Sequence, residues 1–170
     1  MKKSPIVIYG SSRSDGDTQE AVAAVLQGRD APVVDLLSLN ISYYNYDGAN
    51  KEDDFIPLAE RMLNHNPIIL ATPVYWYTMS APLKTFLDRW TDLLTHRKDL
   101  GRRLANKELY VIACYGNQLP QSFEDAFSQT CDYLDMHYKG CYYHYSGRDP
   151  EKQKHNSLLA AQFAQGIFSK

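Results

Sequence analysis

A short, hydroxyl-rich segment near the N-terminus has residue types suited to binding a phosphate group. Residues 10–18 read Gly-Ser-Ser-Arg-Ser-Asp-Gly-Asp-Thr and follow an apolar stretch that begins at Ile6. A strand that ends in such a turn and continues into a helix places backbone N–H groups, hydroxyls and one guanidinium at the positive end of the helix dipole. The segment therefore predicts a phosphate-binding loop.

The spacing within this loop distinguishes three kinds of phosphate site. A Walker A loop has four residues between its glycines, followed by Lys and Ser or Thr. Here five residues separate the two glycines, and Asp17 stands at the lysine position. The dinucleotide fingerprint needs glycines where Ser12 and Asp15 stand, and only the acidic residue after the second strand, Asp35, fits that signature. A single phosphate held by hydroxyls, amides and one charged side chain fits best.

A second segment, residues 71–90, combines an aromatic cluster with the start of a helix. Ser80 has the residue type of a helix N-cap, and Pro82 falls in the first turn, where proline is favoured. The free N–H groups of this helix would point into the crevice next to three consecutive aromatic residues, Tyr75, Trp76 and Tyr77. Exposed aromatic side chains of this kind typically cover a ligand, a partner subunit or the flank of the domain.

Short apolar runs alternate with amphipathic stretches along the chain, which predicts an α/β fold with a doubly wound parallel sheet. We expect one domain over residues 1–170. In such a sheet, ligands bind beyond the carboxyl ends of the strands, and periodicity alone leaves the strand orders 2-1-3-4-5 and 3-2-1-4-5 both open. The pattern places strands near 5–10, 32–36, 67–72, 108–114 and 138–145, and helices near 17–28, 52–65, 81–95, 121–135 and 151–168.

Composition argues against several classes of partner. The formal net charge of −2 gives no broad positive field, so we expect neither nucleic acid nor a membrane as a partner. The N-terminal residues lack the pattern of a signal peptide, and no apolar run reaches membrane-spanning length, so a cytoplasmic location is expected. The three cysteines and five histidines show no metal-ligand spacing, and no metal site is predicted.

Together, the phosphate loop at residues 10–18 and the segment at 72–89 resemble the flavodoxin-like NAD(P)H-dependent FMN reductases, a family that includes NAD(P)H:quinone oxidoreductases. The resemblance implies a five-stranded sheet of order 2-1-3-4-5 in a three-layer α/β/α sandwich. It also implies FMN as the cofactor and NAD(P)H as the co-substrate. Resembling enzymes are commonly dimers, so a homodimer is expected.

The resemblance assigns the FMN phosphate to the first loop. Ser11, Arg13 and Thr18 would hold it with their side chains, and Ser12 would offer its backbone N–H. Asp17 belongs to the same loop, but it departs from the family pattern, because related loops often carry an amide there and a carboxylate cannot donate to a phosphate. We expect Asp17 to cap the first helix, with Glu20 completing a capping box.

The flavin ring is assigned to the second segment and to the end of the fourth strand. The residues that would line the ring are Pro73, Val74, Tyr75, Trp76 and Met79, with Tyr115 and Gly116 at its pyrimidine edge. Hydride transfer needs proximity and stacking more than an acid or a base, so no catalytic side chain is predicted.

The resemblance favours an enzyme that passes hydride or electrons from NAD(P)H, through bound FMN, to a quinone, a flavin or another small electrophile. The alternative is a flavodoxin-type electron carrier that turns over no substrate. Such carriers use a strongly acidic docking face and a phosphate loop without arginine, and the net charge and Arg13 argue against that role. A third hypothesis is a flavin-free module that uses the crevice for protein contacts.

Overall fold

Five parallel strands form the central sheet of the computed structural model, which describes residues 4–119 and 121–168. Their order is β2-β1-β3-β5-β6, and a short strand, β4, pairs antiparallel with β3 outside this path. Counting only the parallel strands, this is the order 2-1-3-4-5, so the prediction from the resemblance is confirmed. The strands are β1 (Ile6–Tyr9), β2 (Val33–Asp35), β3 (Ile68–Tyr75), β4 (Thr78–Met79), β5 (Glu108–Tyr115) and β6 (His137–Tyr145).

Helices cover both faces of this sheet and give the three-layer α/β/α architecture that the sequence predicts. Successive side chains of a strand point to opposite faces, so Ile6 and Ile8 of β1 enter one core cluster while Val7 and Tyr9 enter the other. The first cluster is closed by α2 (Phe55–Met62), α3 (Ala81–Asp88), α4 (Trp90–Thr95) and α6 (Asp125–Tyr133), and the second by α1 (Asp17–Leu26) and α7 (Pro150–Phe168). A 3-10 turn (Leu36–Ser38) and α5 (Lys98–Gly101) lie in connections.

Two predicted boundaries differ from the structure near the second segment. The strand expected at 67–72 continues to Tyr75, because Val74 and Tyr75 pair with β4 in a hairpin. The helix expected at 81–95 is divided into α3 and α4 at Arg89. The apolar periodicity of the sequence reports neither the hairpin pairing that lengthens β3 nor the break between the two helices at Arg89.

Arg89 is fully buried at the junction of α3 and α4, where it holds the long connection 40–54 against the core. Its guanidinium bonds to Asp53, donates from Nε to Asp92 Oδ2 at 2.7 Å and lies 4.7 Å from the centre of the Phe55 ring. It also donates to the Ser42 carbonyl at 3.0 Å. Burial is the largest single influence on the pKa of Asp53 and raises it, but the hydrogen bonds from Arg89 and from the Ser42 and Phe55 N–H groups, together with the charge of Arg89, outweigh burial, and the net pKa is lowered.

A second polar network attaches α7 to β6. The Tyr142 hydroxyl donates to the Asn156 carbonyl at 3.1 Å and lies 3.0 Å from Nδ1 of the buried His144. Because the hydroxyl has a single proton, Nδ1 of His144 carries the hydrogen of that contact, and Nε2 faces the Asn156 amide nitrogen at 3.4 Å as an acceptor. Burial lowers the pKa of His144, partly offset by Glu20 and Asp17. The neutral imidazole is therefore the form that fits the folded state.

Replacing Arg89 with Met should lower the free energy of unfolding by about 3–5 kcal/mol, since it leaves two buried carboxylates without their partner. Urea denaturation measures this change. Arg97→Met is the matched control, because Arg97 pairs with Glu60 and Asp99 at the surface, and its loss of stability should be much smaller. Equal losses in the two variants would contradict the structural role of Arg89.

The lowered pKa of His144 predicts how stability depends on pH. The unfolded state binds the proton more readily than the folded state, so this contribution is complete above about pH 6.5 and is lost as the pH falls below that value. The loss in free energy of unfolding between pH 7.5 and 5.5, measured in urea, should be smaller in His144→Gln than in the wild type. His155→Gln, on an exposed position of α7, should retain the wild-type loss. An unchanged loss in His144→Gln would refute the prediction.

Candidate active site

Two neighbouring cavities lie at the carboxyl ends of the parallel strands. The first has a volume of about 130 Å³ and the second about 300 Å³. They share Val74 and Gly116 as wall residues. The first is lined by Ser11, Arg13, Gly16, Asp17, Thr18, Pro73, Val74, Tyr75, Cys114, Gly116 and Ser146, and the second by Val74, Trp76, Tyr77, Tyr115, Gly116, Asn117 and Gln118.

The structure therefore brings most of the predicted site residues together. The side of the first cavity formed by the phosphate loop faces residues from β3 and from the segment after β5, as the sequence predicts. Two predicted residues line neither of the two cavities: Ser12 is exposed, and Met79 is only 5% exposed within the core. Met79 pairs with Val74 across the hairpin, so it supports a cavity wall from behind.

A close approach between β1 and α3 sets the position of the phosphate loop. An added Cβ at Gly10 would lie 2.7 Å from Cβ of Leu83, so this position has room only for glycine. Ser80 is the N-cap of α3, as predicted: its hydroxyl accepts from the Leu83 N–H at 3.4 Å and donates to the Gly10 carbonyl at 2.6 Å. The same side chain thus caps one helix and fixes the start of the loop.

The rest of the loop is held by side chains on either side of it. The Tyr9 hydroxyl donates to the Arg13 carbonyl at 2.9 Å. The Ser14 hydroxyl donates to the carboxylate of Asp35, which also accepts from the Leu37 N–H at 2.9 Å. Asp35 is therefore engaged in joining the loop to the end of β2.

Arg13 lies across the start of α1. An added Cβ at Gly16 would be 2.6 Å from Nε of Arg13, so the guanidinium packs directly over this glycine. Since the first amides of a helix have no intrahelical acceptor, and the dipole is positive at that end, a guanidinium there needs an anion beside it. The hydroxyl residues Ser11 and Thr18 are both buried in the same wall. This donor set fits a phosphate.

The expected capping box is wrong. The N-cap of α1 is Gly16, and no side chain caps this helix end. Asp17 is the first residue of the helix, whereas a capping side chain comes from the residue before the helix. The Asp17 side chain therefore does not accept from the first helical N–H groups. Asp17 is one of the residues that line the first cavity.

The aromatic segment forms a tight hairpin with a strained tip. Trp76 and Tyr77 join β3 to β4 with φ angles of 49° and 67°. Positive φ at both central residues is the pattern of a type I′ turn, which favours Asn and Gly, and bulky side chains are disfavoured there. Trp76 is 92% exposed and Tyr77 is 64% exposed. The chain thus holds two large aromatic side chains at the open side of the second cavity.

Aromatic and thiol side chains complete the wall on the β5 and β6 side. The Tyr115 ring packs edge-on against Tyr145, with centroids 5.4 Å apart. Burial raises the pKa of Cys114 to about 11, so this cysteine is a neutral thiol at physiological pH and not a nucleophile. We find no group of three or more His, Cys, Asp or Glu side chains that could hold a metal ion in residues 4–119 and 121–168.

Sequence reasoning missed several residues of this wall. They are Cys114, Ser146, Asn117 and Gln118. Ser146 directly follows the fifth predicted strand, so the rule that ligands meet carboxyl ends could have identified it. Asn117 and Gln118 follow Gly116 in a loop whose direction no local pattern reports.

Within the described part of the chain, no helix is both long and apolar enough to span a membrane.

Comparison with known proteins agrees with this geometry. Residues 5–150 match the family model described as NADPH-dependent FMN reductase. The chain belongs to this family. It is also 33% identical over 149 residues to YwqN of Bacillus subtilis, whose name proposes an NAD(P)H-dependent FMN-containing oxidoreductase, with 79% of this chain and 80% of that protein covered.

Solved structures show the same fold. The Trp repressor binding protein of B. subtilis superposes with a TM-score of 0.72 at 28% identity, covering 91% of this chain and 96% of that one. General stress protein 14 of Treponema denticola, solved in complex with FMN, superposes with a TM-score of 0.64 at 12% identity, covering 98% of each chain. The resemblance seen in the sequence is confirmed: this FMN reductase family member is an oxidoreductase that uses FMN as cofactor and NAD(P)H as reductant.

The strained hairpin leads to a prediction about stability and binding. The double variant Trp76→Asn, Tyr77→Gly should raise the free energy of unfolding of the FMN-free protein by about 1–2 kcal/mol, because both residues then tolerate positive φ. The same variant should bind FMN more weakly, since the aromatic side chains are lost. Urea denaturation and flavin fluorescence measure the two effects.

The single variant Trp76→Ala separates these effects. It removes the exposed indole but leaves Ala at positive φ, so FMN binding should weaken without a gain in stability. A large loss of stability in Trp76→Ala would show that the indole belongs to the core and would contradict the assignment.

Proposed function

We propose that this enzyme passes electrons from NAD(P)H, through FMN bound in the two adjoining cavities, to a quinone, a free flavin or another small electrophile. The observation that carries the proposal is the shared wall at Val74 and Gly116, which joins a cavity suited to a phosphate to a larger cavity edged by aromatic side chains. This arrangement matches the two ends of a flavin mononucleotide.

The phosphate end is assigned to the first loop. Ser11 and Thr18 supply hydroxyl donors, and Arg13 supplies the positive charge over the start of α1. Hydrogen bonds from a guanidinium to a phosphate are short and strong because both groups are charged. The first amides of α1, with no acceptor inside the helix, complete the donor set.

The ring end is assigned to the hairpin and to the segment after β5. Val74 lines the second cavity on the hairpin side, and Tyr115 and Gly116 line it on the other. Pro73 and Tyr75 line the adjoining first cavity, where the two cavities meet at Val74. Trp76 stands at the open side of the second cavity. When bound, FMN accepts hydride from a nicotinamide and releases electrons to an acceptor.

The residues around the ring are suited to positioning and to excluding water. Cys114 is buried and its pKa is raised, so it supplies neither a base nor a nucleophile at neutral pH. Burial also raises the pKa of Tyr115, which keeps this phenol protonated. A stacked donor and acceptor react through proximity, and the open tip at Trp76 leaves room for each of them in turn.

We further propose that the enzyme acts as a homodimer in the cytoplasm. The exposed aromatic tip at Trp76 and the exposed Tyr43 and Tyr46 are residue types favoured at subunit interfaces. The three cysteines are free thiols, as is usual in a reducing compartment.

The function is tested with FMN-loaded protein, NADH or NADPH, and a benzoquinone or free FMN as acceptor. We expect steady-state oxidation of at least one nicotinamide that depends on both FMN and acceptor. Bound FMN without any turnover would reject the enzyme in favour of an electron carrier, and a protein that stays colourless in excess FMN would reject both.

Arg13→Ala tests the phosphate assignment. It should weaken FMN binding by about 1.5–3 kcal/mol, the range for a hydrogen bond to a charged group, as measured by calorimetry. Riboflavin, which has no phosphate, should bind the variant and the wild type equally. Arg29→Ala, at a surface arginine after α1, is the control and should leave FMN affinity unchanged. Unchanged FMN affinity in Arg13→Ala would contradict the role of Arg13.

A further inference from the structure

The first cavity carries an acidic side chain where a phosphate is expected. The residues that line it include one basic residue, Arg13, and one acidic residue, Asp17, whose formal charges are opposite. A phosphate dianion placed there would meet one guanidinium and one carboxylate. The cavity is therefore less suited to a dianion than its hydroxyls and helix end suggest.

The Asp17 carboxylate is available to a ligand because it has no capping role. Gly16 is the N-cap of α1, and no side-chain bond caps this end. The charge of Asp17 also acts on the far wall of the cavity. Burial is the main cause of the raised pKa of Cys114 in β5; a hydrogen bond with Ser146 opposes it, and the charges of Asp17 and Glu20 both add to it.

A carboxylate and a phosphate can coexist here if they share a proton. An ionised carboxylate only accepts hydrogen bonds, whereas a singly protonated phosphate has an O–H group to donate. Hydrogen bonds of this type, O–H to O⁻, are short and charge-assisted. The second pKa of a phosphate monoester is about 6, so the protonated form is accessible near neutral pH at a modest cost.

We propose that Asp17 makes the phosphate cavity selective for the singly protonated monoester of FMN, with one proton held between the Asp17 carboxylate and the phosphate. The inference rests on the proposed FMN site. It assigns Asp17, the residue that departs from the family pattern, a role in choosing the protonation state of the ligand.

Other charged and titratable groups near Asp17 come from the loop and from three elements, α1, β5 and β6. They are Arg13 and Asp15 in the loop, Glu20 in the same first turn of α1, Cys114 at the end of β5 and His144 at the end of β6. Of the carboxylates among them, only Asp17 lines the cavity. Asp17 and Glu20 are both exposed and both lie in the first turn of α1, but Glu20 is not among the residues that line the cavity, so it shares the helix field of Asp17 without its place at the cavity.

The proposal has a measurable consequence for proton exchange. Free FMN above about pH 6 is mainly the dianion, so binding at pH 7.5 takes up one proton from solvent. The affinity of the wild type for FMN therefore falls about tenfold for each pH unit above about pH 6. A rise in pH favours release of FMN, and a fall in pH favours its retention.

Calorimetry and phosphorus NMR with the full chain and FMN test the proposal. In the wild type, titrations at pH 7.5 in buffers of different ionisation enthalpy should show uptake of about one proton, and the ³¹P shift of bound FMN should be that of the monoanion. In Asp17→Asn, proton uptake should vanish, the shift should be that of the dianion, and FMN affinity at pH 7.5 should rise at least tenfold, since the amide donates to the phosphate.

Two matched controls separate Asp17 from its surroundings. Glu20→Gln removes one negative charge from the same helix end, and His144→Gln removes the buried imidazole; both should keep the wild-type proton uptake. Riboflavin, which has no phosphate, should bind the wild type with little dependence on pH between 6 and 8.

The outcomes distinguish this inference from the proposed function. A dianion shift for FMN on the wild type, an affinity independent of pH, or equal effects of Asp17→Asn and Glu20→Gln would overturn the inference and leave the FMN site in place. Failure of the wild type to bind FMN at every pH from 5.5 to 8 would overturn the FMN site and the inference together.

Discussion

The hydrogen bond from the Ser80 hydroxyl to the Gly10 carbonyl is the contact on which the site depends. It joins the end of β1 to the start of α3, and the missing Cβ of Gly10 permits the approach to Leu83. Because β1 and β3 are parallel neighbours, the loop that follows one and the hairpin that follows the other begin at the same sheet edge. This junction sets the first cavity, lined by the 10–18 loop, beside the second cavity, which the aromatic hairpin lines, and the sheet beneath keeps that spacing.

The strained and charged residues of the site are concentrated next to this junction. The guanidinium of Arg13 packs over a positive helix end, and Trp76 and Tyr77 hold positive φ angles. Positive φ is costly for bulky side chains, and under the proposed function Arg13 would face the phosphate and the two aromatic residues the ring. Backbone strain of this kind persists only where surrounding structure determines it strongly, and the pairing of Val74 with Met79 at the base of the hairpin is such a support.

The rest of the chain stabilises this frame in ways unrelated to the chemistry. Arg89 pairs with Asp53 of the connection 40–54 and with Asp92 of α4. These ion pairs hold a stretch with little regular structure against the core. The network of Tyr142, His144 and Asn156 attaches α7 to the far edge of the sheet. Both networks are buried, and breaking either one lowers the stability of the fold because a buried polar group would lose its partner.

The sequence alone determined the residue types of the phosphate loop, the N-cap Ser80 and the alternation of strands and helices, because these follow from local chemistry and from side-chain periods. The strand order and the cofactor came from a resemblance carried by two motifs. Only the tertiary structure decided that Gly16 caps α1 in place of Asp17, that Arg89 is a buried ion-pair centre, that Met79 lies in the core, and that Ser146 and Cys114 complete a wall. These features depend on which distant residues meet at one sheet edge, and local sequence carries no signal of such contacts.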